Sequence, residues 1–117
     1  MLSVFTDPVG SVLASALDGL STRSRVIADN IANVDTPGFR ATSVDFEASL
    51  QAAIASGDPA AVQISTTPTD TPVGANGNNV DLRKETLAAV QSQFQYQVMT
   101  RAVSDRAELL RAAAGSQ

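Results

Sequence analysis

The feature of this chain that most constrains its fold is a helix stop signal at residues 29–40, which read D-N-I-A-N-V-D-T-P-G-F-R. Asn30 and Asn33 can cap the last carbonyls of a helix. Asparagine also tolerates the left-handed backbone that many helix ends adopt. The segment therefore predicts that a helix ends close to Asn33.

A tight turn is predicted directly after this helix end. Thr36 precedes a proline, which disfavours helical geometry at that position. Pro37 and Gly38 suit the central positions of a type II turn, because proline fixes the first dihedral and glycine supplies the positive one. The chain should leave this corner extended, with Phe39 as its large apolar side chain. An ordinary helix stop before a loop explains these residues about as well as a functional corner does.

The residues before the corner predict a long helix over residues 8–33. Asp7 can cap its start, and Pro8 fits the first helical position, where its missing N–H costs nothing. Apolar side chains then recur at alternating steps of four and three, a coiled-coil spacing with one polar member. The members of this seam are Leu13, Leu17, Leu20, Ser24, Ile27 and Ile31.

A second long helix is predicted over residues 81–114, with Asp81 as its cap and no proline or glycine inside it. Its apolar side chains form two stripes rather than one. One stripe contains Leu82, Ala89, Tyr96, Val103, Ala107 and Leu110, and the other contains Leu87, Val90, Phe94 and Val98. A helix with a single partner needs one stripe, so the second stripe indicates contacts with more than one other helix.

The middle of the chain, residues 34–80, carries weaker patterns. Asp45 to Ala55 can hold a short helix, and Ala61 to Ser65 alternates weakly like a strand. Thr66 to Asn79 is rich in Thr, Pro, Asp, Gly and Asn, which predicts a flexible loop or one ordered only by its neighbours. The chain of 117 residues is therefore predicted to be a single, mainly α domain. Its two terminal helices should pair as an antiparallel bundle resembling a coiled coil, around a short irregular or β segment.

The amino-acid composition excludes most kinds of catalytic and metal-binding site. The chain has no histidine and no cysteine, which removes the usual general base and the soft metal ligands. Asp45 and Glu47 could form a catalytic carboxylate pair, but few bulky side chains surround them to raise a pKa. The acid and amide residues near the corner do not match a calcium loop, because Ile31 and Val34 stand where a ligand and a glycine are needed. We expect no enzyme activity, no metal and no cofactor.

Charge and hydropathy limit the partners and the location. The net charge of −4 argues against a nucleic-acid partner, since phosphate binding needs clustered Lys and Arg. Polar residues interrupt every apolar run, so no segment is expected to cross a membrane. The N-terminus, residues 1–8, shows no cleaved secretion signal.

The corner resembles the N-terminal signature of the bacterial flagellar axial proteins, which are the rod, hook and filament-joining subunits. The matching residues are Asn30, Ile31, Ala32, Asn33, Asp35, Thr36, Pro37, Gly38 and Phe39. The Asp35-Thr36-Pro37 sequence and the later Asp45-Phe46 pair are most similar to the proximal-rod subunits. Residues 76–81, which read N-G-N-N-V-D before the second helix, add another match.

This resemblance implies a structural subunit of the proximal rod that polymerises through its terminal helices, transmits torque and lines the export channel. It also implies that the subunit contacts copies of itself, other rod subunits, the adaptor protein at the membrane ring and the export apparatus. The subunit would reach the periplasmic rod without a cleaved signal. Helix contacts are expected at Leu13, Leu17, Leu20, Ile27, Ile31, Phe94, Tyr96, Val98, Val103 and Leu110. The alternative is a soluble helical-hairpin adaptor or secretion chaperone, which needs the same helices.

Overall fold

The computed structural model describes residues 7–58 and 61–115, which form an elongated molecule of 66 × 26 × 17 Å. In chain order the elements are α1 (Pro8–Ala32), β1 (Thr42–Asp45), α2 (Glu47–Ala55), β2 (Ser65–Pro68) and α3 (Leu82–Gly115). The helices α1 and α3 run antiparallel along the long axis, because Asp7 contacts Arg106 near one end and Ser24 contacts Ser92 near the middle. The mainly α prediction is confirmed.

Both long helices begin where the sequence predicts a cap. The Asp7 carboxylate accepts a hydrogen bond from the Val9 N–H at 2.9 Å, with Pro8 at the first helical position. At the start of α3, the Asp81 carboxylate accepts from the Lys84 N–H at 3.1 Å. The prediction that the N-terminus carries no cleaved secretion signal concerns mainly residues 1–6, which lie outside the described residues. The single-domain interpretation stays a prediction.

The middle segment contains the predicted β structure and the predicted short helix, α2, but one strand lies later in the chain than expected. The strand expected at residues 61–65 is instead β2, which begins at Ser65 and pairs antiparallel with β1, Thr42 opposite Pro68 and Asp45 opposite Ser65. All four residues of β2 are exposed, so it has no alternation of apolar and polar side chains for a pattern to detect. The loop after β2 is held by hydrogen bonds, beginning with the Thr69 N–H donating to the Ala41 carbonyl at 3.1 Å.

The small core lies where β1 and the start of α2 cover α1. Its buried members are Ala16, Leu20, Val44 and Phe46, and Val26, Leu50 and Met99 pack against them. The Phe46 ring lies directly on the backbone of Gly19, where a Cβ atom would come within 2.5 Å of the ring. The Arg23 guanidinium also lies over the ring, 4.8 Å from its centroid. The ring therefore contacts both the backbone of α1 and a cation from the same helix.

We expect Gly19→Ala to destabilise the protein by about 2 kcal/mol, although alanine favours helices, because the added Cβ would force the buried Phe46 ring to shift. Chemical denaturation followed by circular dichroism measures this change. Gly115→Ala is the control, since a Cβ there meets nothing within 4 Å. Equal stability of the two variants would contradict the close packing.

Among the residues that the structure describes, two ion pairs tie α1 or its cap residue Asp7 to another element. Arg23 donates to the Glu47 carboxylate at 2.6 Å and to the Val44 carbonyl at 3.0 Å, so it ties α1 to the β1–α2 junction. Arg106 donates to both carboxylate oxygens of Asp7, at 3.0 and 3.4 Å, which ties α3 to the start of α1. The hydrogen bond from Arg106 lowers the pKa of Asp7, and the hydrogen bond from Arg23 lowers the pKa of Glu47.

These pKa shifts predict lower stability in acid. A carboxyl group whose pKa is depressed by folding stabilises the protein above its unfolded pKa, and that contribution is lost as pH falls through the folded pKa. The ordinary pKa values of Asp7 and Glu47 are 3.8 and 4.5, so the loss should occur below about pH 4.5. Thermal unfolding followed by circular dichroism from about pH 6 to about pH 3 should show it. The double variant Asp7→Asn/Glu47→Gln should show a smaller dependence on pH, and an unchanged dependence would refute the assignment.

Candidate functional site

The signature residues form a tight corner at the end of α1. The Phe39 N–H donates to the Thr36 carbonyl at 3.2 Å, and Gly38 has φ of +75°, which is the geometry of a type II turn with Pro37 at its first central position. Asn33 caps the helix, since its amide donates to the Asp29 carbonyl at 2.8 Å. Asn33 has φ of −105°, so this asparagine ends the helix without adopting the left-handed backbone conformation.

Asn30 does not cap the helix, which corrects the sequence interpretation. It lies inside α1 with 1% of its surface exposed, and its amide donates to the Thr42 carbonyl at 2.7 Å. Its side-chain oxygen accepts from the Thr42 N–H at 3.3 Å. Asn30 thus pairs with both backbone groups of Thr42 as a neighbouring strand would. This contact fixes the position of β1 against α1.

A second asparagine, Asn78, closes the corner from the loop before α3. It is buried, and its amide donates to the carbonyls of Asn33 and Thr36, each at 2.8 Å. Its side-chain oxygen accepts from the Val80 N–H at 2.8 Å. These three bonds join the end of α1, the turn and the approach to α3. The sequence indicated residues 76–81 only through the family resemblance, because the two carbonyls that the Asn78 amide binds lie more than 40 residues away.

Residues beside Asn78 extend this connection. The Gly38 N–H donates to the Asn76 carbonyl at 2.9 Å, and the Asn79 side-chain oxygen accepts from the Ala41 N–H at 2.6 Å. Gly77, with φ of +81°, comes so close to Gly38 that a Cβ on Gly77 would lie 3.2 Å from the Gly38 Cα. We call Asn30, Asn33, Asn78 and Asn79 with the turn they hold the asparagine corner.

The predicted helix-contact residues separate into a group at the contact between α1 and α3 and a group on the far side of α3. Leu20 and Ile27 are buried, while Leu13, Leu17, Ile31, Val103 and Leu110 are half-buried. Tyr96 is 42% exposed, at the edge of the contact between α1 and α3. Phe94 and Val98 lie on the opposite side of α3 and take no part in that contact.

We call the second stripe of α3 the ridge, defined by Leu87, Val90, Phe94 and Val98. These side chains are 59%, 62%, 66% and 48% exposed. They follow one another at three- and four-residue steps, so they project from one face of the helix. An aligned row of large exposed apolar side chains is typical of an interaction surface. The interface role of the predicted contact residues stays a prediction.

An open cleft of about 440 Å³ runs between α1 and α3, and its wall combines small and apolar side chains. It is lined by Ser21, Ser24, Ile27, Ala28, Ile31, Ala89, Gln93 and Tyr96. The β1–β2 sheet borders a different cleft, which Arg23 and Ile27 line on α1 and Lys84, Glu85 and Ala88 line on α3.

The described part of the chain offers no arrangement for catalysis or metal binding. Among residues 7–58 and 61–115, no three acidic side chains are grouped to hold a metal ion. Asp45 and Glu47 are exposed, and Glu47 is occupied by its ion pair with Arg23. In the same ranges, no helix combines the length and the apolarity needed to cross a membrane.

Sequence comparisons with known proteins point to one family. The family model described as flagella basal body rod protein matches residues 11–40, which include most of α1 and the turn. Flagellar basal body rod protein FlgB of Bacillus subtilis (strain 168) is 35% identical over 112 residues, covering 84% of this chain and 85% of that protein. The protein of the same name from Borreliella burgdorferi is 33% identical, over 72% of this chain and 78% of that protein. The one from Escherichia coli (strain K12) is 31% identical, over 76% and 80%. These matches show that the chain belongs to the FlgB family of flagellar basal body rod proteins, structural components of the basal body that assemble with other rod components.

Proposed function

We propose that this subunit polymerises through its terminal helices at the base of the rod, where α1 and α3 of each copy pack against the same helices of its neighbours. The observation that carries the proposal is the ridge, which lies on the face of α3 that α1 leaves uncovered. These side chains are about half exposed, so covering them is worth about 1 kcal/mol each, and a neighbouring helix that covers all four gains a large part of its binding free energy there.

In this arrangement the helices form the inner layer around the export channel, and the asparagine corner holds the β1–β2 segment outside it. Torque then passes along the helices and through their lateral contacts. The subunit joins the membrane ring through an adaptor protein at the rod base, contacts the export apparatus during assembly, and reaches the periplasm without a cleaved signal. Family membership favours this function over the adaptor or chaperone that the sequence leaves open.

The test is a deletion of the gene followed by electron microscopy of purified basal bodies. Because a proximal subunit is needed before more distal ones can add, the deletion strain should retain membrane rings and lack the whole rod. Expression of the wild-type chain from a plasmid should restore the rod and swimming. Intact rods in the deletion strain, or a rod truncated only at its distal end, would refute the proximal position.

A further inference from the structure

We infer that the ridge of one copy docks into the cleft between α1 and α3 of the next copy, so that every subunit offers one ridge and one cleft. This inference rests on the proposed function and names the two surfaces that polymerisation uses. The ridge cannot fill the cleft of its own chain, because the two lie on different faces of α3. The contact must therefore form between chains.

The shapes of the two surfaces match. The cleft has small side chains on both walls, including Ser21 and Ala28 on α1 and Ala89 on α3, so a third helix can approach closely. Ile27 and Ile31 give it an apolar floor, and Tyr96 provides an aromatic edge. A row of aliphatic side chains with one phenylalanine fits between such walls.

The two surfaces also lie at the same height along the molecule. The ridge runs from residue 87 to residue 98 of α3, and the α3 wall of the cleft runs from Ala89 to Tyr96. A neighbour placed side by side and parallel therefore presents its ridge at the level of the cleft. Because the two surfaces differ, the contact is heterologous, and such contacts build rings or open helices rather than closed dimers.

Charge supports a second copy as the occupant. The spacing that aligns the ridge also places Arg83 one step before Leu87 and Arg101 one step after Val98, so a cation stands at each end. On α1, the exposed Asp18 and Asp29 lie on the solvent side of Ser21 and Ala28. The two arginines of a docked copy therefore stand near these aspartates, which flank the exposed Arg25 on the same strip of α1.

The positions of these charges along the helix axis agree with the parallel arrangement of neighbouring copies. Since Ser24 lies opposite Ser92 in the antiparallel helix pair, Asp29 is level with Leu87 and Asp18 is level with Val98. Each arginine of a parallel neighbour then stands about one helical turn beyond an aspartate, within reach of a long side chain. Arg101 also has an exposed partner in its own chain, Asp105 at 3.3 Å, and Asp29 accepts from Asn33 at 3.3 Å. Both aspartate and arginine keep free hydrogen-bonding capacity for a second contact.

The test uses disulfide formation, because the natural chain contains no cysteine. Ala28→Cys is combined in turn with a cysteine at each ridge position, Leu87, Val90, Phe94 or Val98, in a strain that lacks the wild-type gene. Basal bodies are oxidised and run on a non-reducing gel. At least one double variant should give a ladder of dimers, trimers and larger products, since cysteines form a bond only when their Cα atoms lie within about 7 Å. Single ridge cysteines should give no product.

Control variants separate the possible failures. Ala28→Cys with Gln95→Cys, an exposed position beside the ridge, should give no ladder. A dimer from a single ridge cysteine would show ridge-to-ridge contact, and a ladder of equal yield from Gln95→Cys would show non-specific collision; either overturns the docking geometry. Assembled rods without a ladder from any of the four pairs would also overturn it and leave the proposed polymerisation standing. Absence of the wild-type protein from purified rods would instead remove the proposed function.

Discussion

Phe94→Glu is expected to abolish swimming while leaving the fold of the single chain intact. Phe94 is 66% exposed in the isolated subunit, so a charged side chain there changes the free energy of unfolding by less than about 0.5 kcal/mol. In the rod the same side chain would be buried against a neighbour, where an unpaired carboxylate costs about 3 kcal/mol or more. Each subunit repeats the loss, which leaves too little binding free energy for a rod to form.

A soft-agar swimming assay and microscopy of basal bodies measure this effect, with circular dichroism to confirm the fold. Gln95→Glu is the matched control, because it places the same charge on the next, exposed residue of α3. Its swimming should equal that of the wild type. Normal rods and swimming in Phe94→Glu would show that the ridge is not an interface.

Asn30→Asp is expected to have the largest effect on stability, about 3 kcal/mol. The two side chains have the same shape, but a carboxylate cannot donate to the Thr42 carbonyl, which Asn30 contacts at 2.7 Å. The substitution therefore leaves two acceptors facing each other at a position that is 1% exposed. We expect β1 to detach from α1 and the whole molecule to unfold at lower denaturant concentration.

Asn76→Asp provides the control, because its side chain is exposed and its oxygen accepts from the Asn78 N–H at 3.1 Å, a role that a carboxylate also fills. Chemical denaturation of both variants should separate them by more than about 2 kcal/mol. Hydrogen exchange of the Thr42 amide gives a local measurement. Unchanged protection of that amide in Asn30→Asp would contradict the strand-like role of Asn30.

The parts of the fold that depend on local pattern could be predicted from the sequence. The two long helices follow from their apolar spacing, and the caps at Asp7 and Asp81 from side chains next to the first turn. The exposed ridge followed from counting more apolar stripes on the second helix than one partner can cover. Each of these inferences uses residues within a few positions of one another.

The parts that depend on distant contacts could not be predicted in the same way. Asn30 reads as a helix-ending residue, yet its side chain bonds Thr42, 12 residues away. β2 contains no buried side chain, so its position is set by backbone pairing with β1, and the strand pattern predicted four residues earlier was wrong. Asn78 and Asn79 look like ordinary loop residues until the turn they bind is placed beside them.

The hydroxyl groups of Ser24 and Ser92 meet at 3.2 Å inside an otherwise apolar seam. Sliding α3 by one heptad would bring Glu85 or Met99 to Ser24, which removes this bond and misaligns the layers beside it. The hydrogen bond between the two hydroxyls therefore favours one register of α3 along α1. By setting how far one helix is advanced along the other, it also determines which residues of α1 stand level with the exposed apolar row of α3.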